Sequence, residues 1–408
     1  MSQDNFLKIG FVPRGEGALR DSVGFYMWNP TRSFGGAEIA VLRVAEWLAC
    51  QGIPITIVVA RAEGALPFRL PKGAEFVNLK APMPQWGAKP LFGSSVFTLA
   101  ALACFFRRNA PARMIVPCWV NGWVNLWAKK LVGAPVQILI WEQLNLSASF
   151  AHSGGIYSLL APKLVQWSYP FADALVACSQ GVAEDLASLL GLPKERISVI
   201  YNPIPADIER RAEEPLDHPW FAPDQPPVIL SVGRLSPEKD FPTLLKAFWY
   251  VRRHHRVRLV ILGEGSERGK LEGMVRRMGL EGEVSLLGFV ENPFKFMKRA
   301  KVFVLSSRFE GFPLVLVEAL ALGMRVVATD CESGPREILG GGRWGILVSV
   351  GDAEGMAEGI GRMLEGEVDR EALVRRGREF SLERVGTQWL KLLKDLGLDI
   401  PNDPTDKH

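Results

Sequence analysis

The feature that most constrains this chain is an alternation that runs through it twice. Short β-branched or aliphatic runs, bounded by glycine, proline or polar residues, take turns with amphipathic segments of helical spacing. In the first half the strand candidates are LKIGFVPR, PITIVVA, AEFVNLK, RMIVPC, VQILIW, DALVACS and ISVIYN. In the second half they are VILSVGR, VRLVILGEG, EVSLLGFV, KVFVLSSR, RVVATD and GILVSV. The segment AEIAVLRVAEWLACQG has apolar residues three and four apart and a glycine stop at Gly52, as an amphipathic helix does. Strands joined through helices pair in parallel, with helices on both faces. The expected fold is α/β, two Rossmann-like doubly wound domains facing a central cleft. At 408 residues the chain exceeds what one hydrophobic core organises. The Pro- and charge-rich stretch from Asn202 to Pro227 reads as the linker between the two alternations.

A composition of 48% hydrophobic and 23% charged residues fits a globular protein. Cys50, Cys104, Cys118, Cys178 and Cys331 are odd in number, widely spaced and mostly set in apolar runs. They are expected to be reduced core residues, with no disulfide framework and no zinc site. The opening MSQDNFLKIGFVPR lacks a basic region followed by an apolar stretch, so a cytoplasmic location is expected. The charge-free run Pro90 to Phe106 is too short to span a bilayer and ends in Arg107 and Arg108. It reads either as a buried helix or as one lying on anionic lipid. Residues 1–205 hold 18 Lys/Arg against 12 Asp/Glu and residues 206–408 hold 30 against 32, so the basic excess lies in the first half. That excess allows peripheral association with an anionic inner-membrane surface.

Open parallel sheets bind ligands beyond the carboxyl ends of their strands. After the second-half strands come GRLSPEKD, GEGSE, GFVEN and SSRFEGFP, which collect glycines, Arg234, Lys239 and Glu310 at one edge. A guanidinium and an ammonium together suit a diphosphate. Pro313 fits the first turn of a helix, PLVLVEALAL, that stops at Gly323. The helix start offers free N–H groups and a positive dipole end for phosphate. Glu310 precedes this helix, and Glu318 lies inside it among apolar neighbours, where ribose hydroxyls would be suitable partners. A capping glutamate and a surface glutamate are the plainer reading of the same pair.

The segments VGRLSPEKDFPTLLKAF, LGEGSERGKLE, LLGFVENP and SRFEGFPLVLVEALALGMRVVATDCESGPREIL resemble the nucleotide-sugar domain of retaining glycosyltransferases of family 4, which have the two-Rossmann GT-B fold. The similarity covers most of residues 227–365, and SFGGAEIAV, with Gly35 and Gly36, resembles the family's glycine loop facing phosphates or acceptor. It implies an acceptor-side domain over 1–202, a linker over 203–226, a donor domain over 227–384, a helix over 385–400 crossing back to the first domain, and a tail over 401–408. It implies that Glu310, Arg234 and Lys239 are catalytic. Donor binding would fall to Gly233, Gly263, Gly288, Phe289, Val290, Gly311, Phe312, Pro313, Leu314 and Glu318, with Gly288 to Val290 bordering a base, uracil by preference. Neither a metal nor a cofactor is implied, since the nucleotide sugar is a substrate. Partners would be that donor and a glycan or polyprenyl-linked acceptor, in bacterial cell-surface glycan assembly.

The family's first-domain histidine has no counterpart after VQILIW, where Gln143 stands; His152 follows a few residues later. Gln143 can hydrogen-bond a sugar hydroxyl but cannot titrate near neutral pH. Trp119, Trp123 and Trp127 recur every four residues as a packing stripe that could also seat a lipid or glycan. The run Arg252 to Arg258 reads as a basic helix end, with no sign of nucleic-acid binding. GEGSER and ERGKLE fall short of the dinucleotide and P-loop fingerprints. A nucleotide-sugar epimerase of the same fold and a non-catalytic sugar-binding relative stand as alternatives.

Overall fold

The computed structural model describes residues 22–31, 35–82, 94–153 and 155–398. The first sheet has seven parallel strands: β1 (Val23–Met27), β2 (Ile55–Val59), β3 (Glu75–Asn78), β4 (Arg113–Pro117), β5 (Gln137–Glu142), β6 (Ala174–Ala177) and β7 (Ile197–Val199), in the order β3-β2-β1-β4-β5-β6-β7. The second has six: β8 (Val228–Val232), β9 (Arg258–Leu262), β10 (Val284–Gly288), β11 (Val302–Leu305), β12 (Arg325–Thr329) and β13 (Ile346–Val348), in the order β10-β9-β8-β11-β12-β13. Strand order reverses beside β1 and again beside β8. In sheets of this kind the crevice at the carboxyl ends of the strands at that switch takes the ligand.

Helices cover both faces of each sheet. In the first half these are α1 (Gly36–Cys50), α2 (Ser94–Asn109), α3 (Trp119–Val132), α4 (Leu146–Ser153), α5 (Gly155–Ser168) and α6 (Gln180–Leu190). The segment between the sheets holds α7 (Ile208–Ala212). In the second half follow α8 (Phe241–Val251), α9 (Arg268–Arg277), α10 (Phe294–Met297), α11 (Leu314–Ala321), α12 (Pro335–Ile338), α13 (Ala353–Glu365), α14 (Arg370–Arg378) and α15 (Leu382–Asp395). Because side chains alternate along a strand, β5 sends Leu139 and Trp141 into the core shared with α1 and α15, and Ile138 and Ile140 into the core on the opposite face. Strands buried on both faces explain the near-continuous apolar runs.

Several expectations are corrected. The candidate LKIGFVPR lies outside the described residues, and the first described strand is VGFYM, which sequence reading passed over. That run has a glycine and a methionine where β-branched residues would signal a strand. Cys50 and Cys104 are exposed rather than core residues, because each falls on the outer side of a helix; Cys178 and Cys331 are buried, and all five thiols are free. The stretch expected as a linker is ordered. Ile204, Ile208 and Ala212, spaced by four, are buried; α7 packs on α10, and Ile204 N–H donates to the Phe380 carbonyl. The run Pro90 to Phe106 becomes α2 from Ser94, with Leu102, Phe105 and Phe106 buried and Val96 and Phe97 exposed. Among the described residues no helix is long and apolar enough to cross a membrane.

The returning helix α15 starts at Leu382, three residues before the expected boundary. Trp389 meets Trp141 edge to face with ring centroids 4.8 Å apart. Trp47 Nε1 donates to Glu383 at 2.9 Å, and Arg113 donates to the Leu396 carbonyl at 2.8 Å. The last described helix thus completes the core of the first domain. Trp389→Ala removes a fully buried indole and is expected to destabilise the protein by about 3–5 kcal/mol, read as a lower urea midpoint. An unchanged midpoint would mean that α15 only rests on the surface.

Candidate functional site

At the carboxyl ends of β8, β9 and β10 the backbone is drawn together. Gly233 N–H donates to the Leu262 carbonyl at 3.0 Å, and Gly263 N–H to the Gly288 carbonyl at 2.7 Å. Gly263 has φ +144°, and a Cβ there would overlap the Gly233 carbonyl oxygen, so only glycine keeps this edge closed. Arg234 follows, exposed, its guanidinium with no hydrogen-bond or ion-pair partner among the described residues. Gly288 ends β10, the outermost strand; Phe289 beyond it is 78% exposed and Val290 half-buried.

The loop after β11 is tied to the loop after β8. Ser306 Oγ donates to the Lys239 carbonyl at 2.7 Å, and Arg308 N–H to the Glu238 carbonyl at 2.8 Å. Glu310 is buried, and its Oε1 accepts from Lys239 Nζ and from Ser307 Oγ, both at 2.6 Å. A buried carboxylate is tolerable only with such partners. Lys239, expected at a diphosphate, is therefore already bonded to Glu310, another of the three residues assigned to catalysis. Pro313 does not occupy the first helical turn; its ψ of 98° is extended, and α11 begins at Leu314. The N–H groups of Phe312, Leu314 and Val315 donate to no acceptor among the described residues.

Glu318, 5% exposed on α11, accepts at Oε1 from Arg43 Nη2 at 2.9 Å, while Arg43 Nη1 donates to the Pro203 carbonyl at 2.7 Å. Sequence reading missed Arg43, although a lone arginine on the apolar face of EIAVLRVAEWL was the available signal. Glu318 Oε2 accepts from no group among the described residues.

The first domain closes over this edge. Ser179 Oγ donates to the Gly311 carbonyl at 2.9 Å, and a Cβ on Gly311 would overlap the Gln143 carbonyl oxygen. Tyr201 hydroxyl donates to Glu337 at 2.6 Å, Gln180 N–H reaches the same carboxylate, and Asn145 Nδ2 donates to Ser333 Oγ at 3.1 Å. Gly35 and Gly36 open α1, with Gly36 facing Leu314. The carboxylate of Glu38 accepts from Gly35 N–H at 3.0 Å; burial raises its pKa, and the charge of Arg234 across the cleft opposes that shift. Gln143 is 6% exposed and accepts from Asn202 at 2.8 Å, leaving Gln143 Nε2 and Asn202 Oδ1 unpartnered. The His152 ring lies 4.9 Å from that of Phe309, next to Glu310.

One titrating group was overlooked. Glu142, at the end of β5, is fully buried and accepts from Tyr169 hydroxyl at 2.7 Å and from Gln143 N–H at 3.1 Å. Burial pushes its carboxyl up from 4.5 to about 7. Among the described residues no cluster of three His, Cys, Asp or Glu side chains is arranged to hold a metal ion.

Residues 213–380 match the family model of glycosyl transferases group 1, and residues 35–203 match that of the glycosyl transferase 4-like domain. An N-acetylgalactosaminyltransferase of Campylobacter jejuni acting on N-acetylgalactosamine-N,N'-diacetylbacillosaminyl-diphospho-undecaprenol is 35% identical over 268 residues, 65% of this chain and 71% of the relative. The chain belongs to the group 1 glycosyl transferases. A lipopolysaccharide core biosynthesis glycosyltransferase of Rhizobium meliloti is 33% identical over 231 residues, 54% of this chain and 64% of that one. The solved structure of Anabaena HepE with UDP and glucose superposes with a TM-score of 0.71 at 20% identity, over 92% of this chain and all of that one. The two sheets are the paired Rossmann-like domains of the GT-B glycosyltransferases.

In this glycosyltransferase Gly311→Ala is expected to hold the domains apart, read as a larger radius of gyration by small-angle scattering with the secondary structure kept. An unchanged radius would show that Gln143 gives way instead. Glu142 yields a pH prediction. Its folded pKa is raised above the unfolded value, so the folded state keeps the proton longer; stability is full below about pH 4.5 and falls as pH rises to about 7. Glu142→Gln should therefore gain on the parent by about 3 kcal/mol at pH 8 and little at pH 4. A pH-independent difference between the two melting curves would contradict this.

Proposed function

We propose that the chain transfers a sugar from a nucleoside diphosphate sugar, a UDP-sugar by preference, to a lipid-linked or polysaccharide acceptor in bacterial cell-surface glycan assembly. The transfer retains anomeric configuration and uses no metal ion and no cofactor. The observation that carries this reading is the convergence of unpartnered Arg234, the Lys239–Glu310 pair and the open N-terminus of α11 at one sheet edge, under a second domain. The named relatives act on lipid-linked or lipopolysaccharide acceptors, and HepE was solved with UDP.

A donor laid along this edge from β10 to β11 crosses three strand spacings, about 14 Å. The base sits against Gly288, Phe289 and Val290, and the diphosphate against Arg234, Lys239 and the N–H groups of Phe312 and Leu314. The ribose hydroxyls use Glu318 Oε2 and share that carboxylate with Arg43. The sugar lies by Glu310. As the diphosphate leaves, negative charge develops where Arg234, Lys239 and the helix end are already aligned, which lowers the barrier without reorganisation. Glu310 is held by Lys239 and Ser307, so it orients a sugar hydroxyl rather than attacking the anomeric carbon. The acceptor's proton passes to the departing phosphate on the same face, and configuration is retained. Gln143 cannot take that proton.

Arg234→Ala is expected to cut kcat by about two to three orders of magnitude and to abolish the thermal shift given by the preferred nucleotide among UDP, GDP and ADP. Retention is checked by NMR of the first-formed anomer, and metal independence by unchanged turnover in EDTA. If no nucleotide shifts the parent, or Arg234→Ala shifts as much, the assignment of this edge is wrong.

A further inference from the structure

Between Glu75 and Asp173 the only acidic residue is Glu142, which is fully buried. The helices α2, α3, α4 and α5 are therefore free of carboxylates, while Arg107, Arg108, Lys130 and Lys163 stand exposed on three of them. The same region is unusually apolar outside. Eight large hydrophobic side chains are exposed among the described residues, and six of them, Val96, Phe97, Leu131, Leu159, Trp167 and Phe171, lie on α2, α3, α5 or the turn after α5. These helices pack side by side on one face of the first sheet, α2 on α3 and α3 on α5.

Between them lies a cavity of about 510 Å³, walled by Leu99 of α2, Trp123 and Leu131 of α3, and Leu164 and Trp167 of α5. Trp127 stacks on Trp167 with ring centroids 4.2 Å apart, and Lys130 Nζ lies 4.9 Å from the Trp127 ring and 4.1 Å from the Phe171 ring. Leu131 is 69% exposed and Trp167 58%. Along α2 the exposed stripe runs from Phe97 through Cys104 to Arg107 and Arg108. Asp173, the nearest acid along the chain, is held by Lys129 at 2.7 Å.

We propose that this face docks on an anionic phospholipid bilayer. Tryptophan and phenylalanine rings with an aliphatic lip suit the acyl boundary, and Lys130 lying across two rings carries its charge to the headgroups. A protein partner would meet the same cations with carboxylates, but an apolar cavity open between three acid-free helices fits chains of hydrocarbon beneath a layer of phosphate. The surface lies on helices away from the donor edge of the second domain. It stands whether or not that edge binds a UDP-sugar.

The test is co-sedimentation of the full chain with vesicles of phosphatidylcholine alone and with vesicles doped with phosphatidylglycerol. The parent is expected to sediment with the doped vesicles only. Lys130→Glu and Lys163→Glu should each weaken binding by at least about five-fold at low salt, and Leu131→Asp should weaken it at any salt. All three positions are exposed, and melting curves matching the parent's will show that the variants fold. Equal or no sedimentation with the two vesicle types overturns the proposal, as does undiminished binding by the variants. A dimer of the parent in lipid-free solution that Leu131→Asp dissolves would reassign the face to a second copy of the chain and equally overturn it.

Discussion

The site depends on one contact, the close seating of the Gly311 backbone between Ser179 and Gln143. A hydroxyl of the first domain holds the Gly311 carbonyl, and the absence of a side chain lets the Gln143 carbonyl lie against it. This glycine also lies between Glu310 and the start of α11. Fixing it fixes three things at once: the buried carboxylate behind it, the N–H groups ahead of it, and the first-domain strand end that faces both. A bulkier residue would not merely lose a contact; it would separate the surfaces that give the cleft its shape.

Electrostatics around that contact follow one rule, that each buried or half-buried carboxylate has a small number of directed partners. Glu310 is held within its own domain by Lys239 and Ser307. Glu318 and Glu337 are held across the cleft, by Arg43 and by Tyr201 with the Gln180 N–H. The internal pair needs one domain alone, whereas the two crossing sets need both domains in contact. Closure and site assembly are thus coupled through hydrogen bonds that leave Arg234 and the α11 N-terminus unengaged.

Much of this was legible in the chain. Parallel strands buried on both faces announce themselves as β-branched runs; of the thirteen described strands eleven fall within the candidates read from sequence, and β5 overruns VQILIW by Glu142 alone. VGFYM did not, because its burial comes from position in the sheet rather than from β-branched residues. The glutamate pair, Arg234 and Lys239 were readable because charged residues at strand ends or in an apolar helix are conspicuous. Their partners were not. That Lys239 meets Glu310 and that Arg43 meets Glu318 over 275 positions of chain are facts of tertiary approach, which local spacing does not encode. The ordered path from Ile204 to Ala212 was hidden for the opposite reason, since its buried positions are diluted by charge.

Glu142 illustrates how far a buried group's role depends on its neighbours' versatility. Both its oxygens lie within hydrogen-bond reach of a partner, Oε2 of the Tyr169 hydroxyl and Oε1 of the Gln143 N–H. Only the phenol can reverse, donating to a carboxylate and accepting from a carboxylic acid, whereas a backbone N–H always donates. When Glu142 is protonated, the proton therefore belongs on Oε2, facing Tyr169, and Oε1 remains the acceptor that pins the Gln143 backbone. Since the Gln143 carbonyl is what Gly311 packs against, the end of β5 keeps its position in either protonation state. Titration of Glu142 then changes the stability of the first domain without moving the surface on which the second one closes.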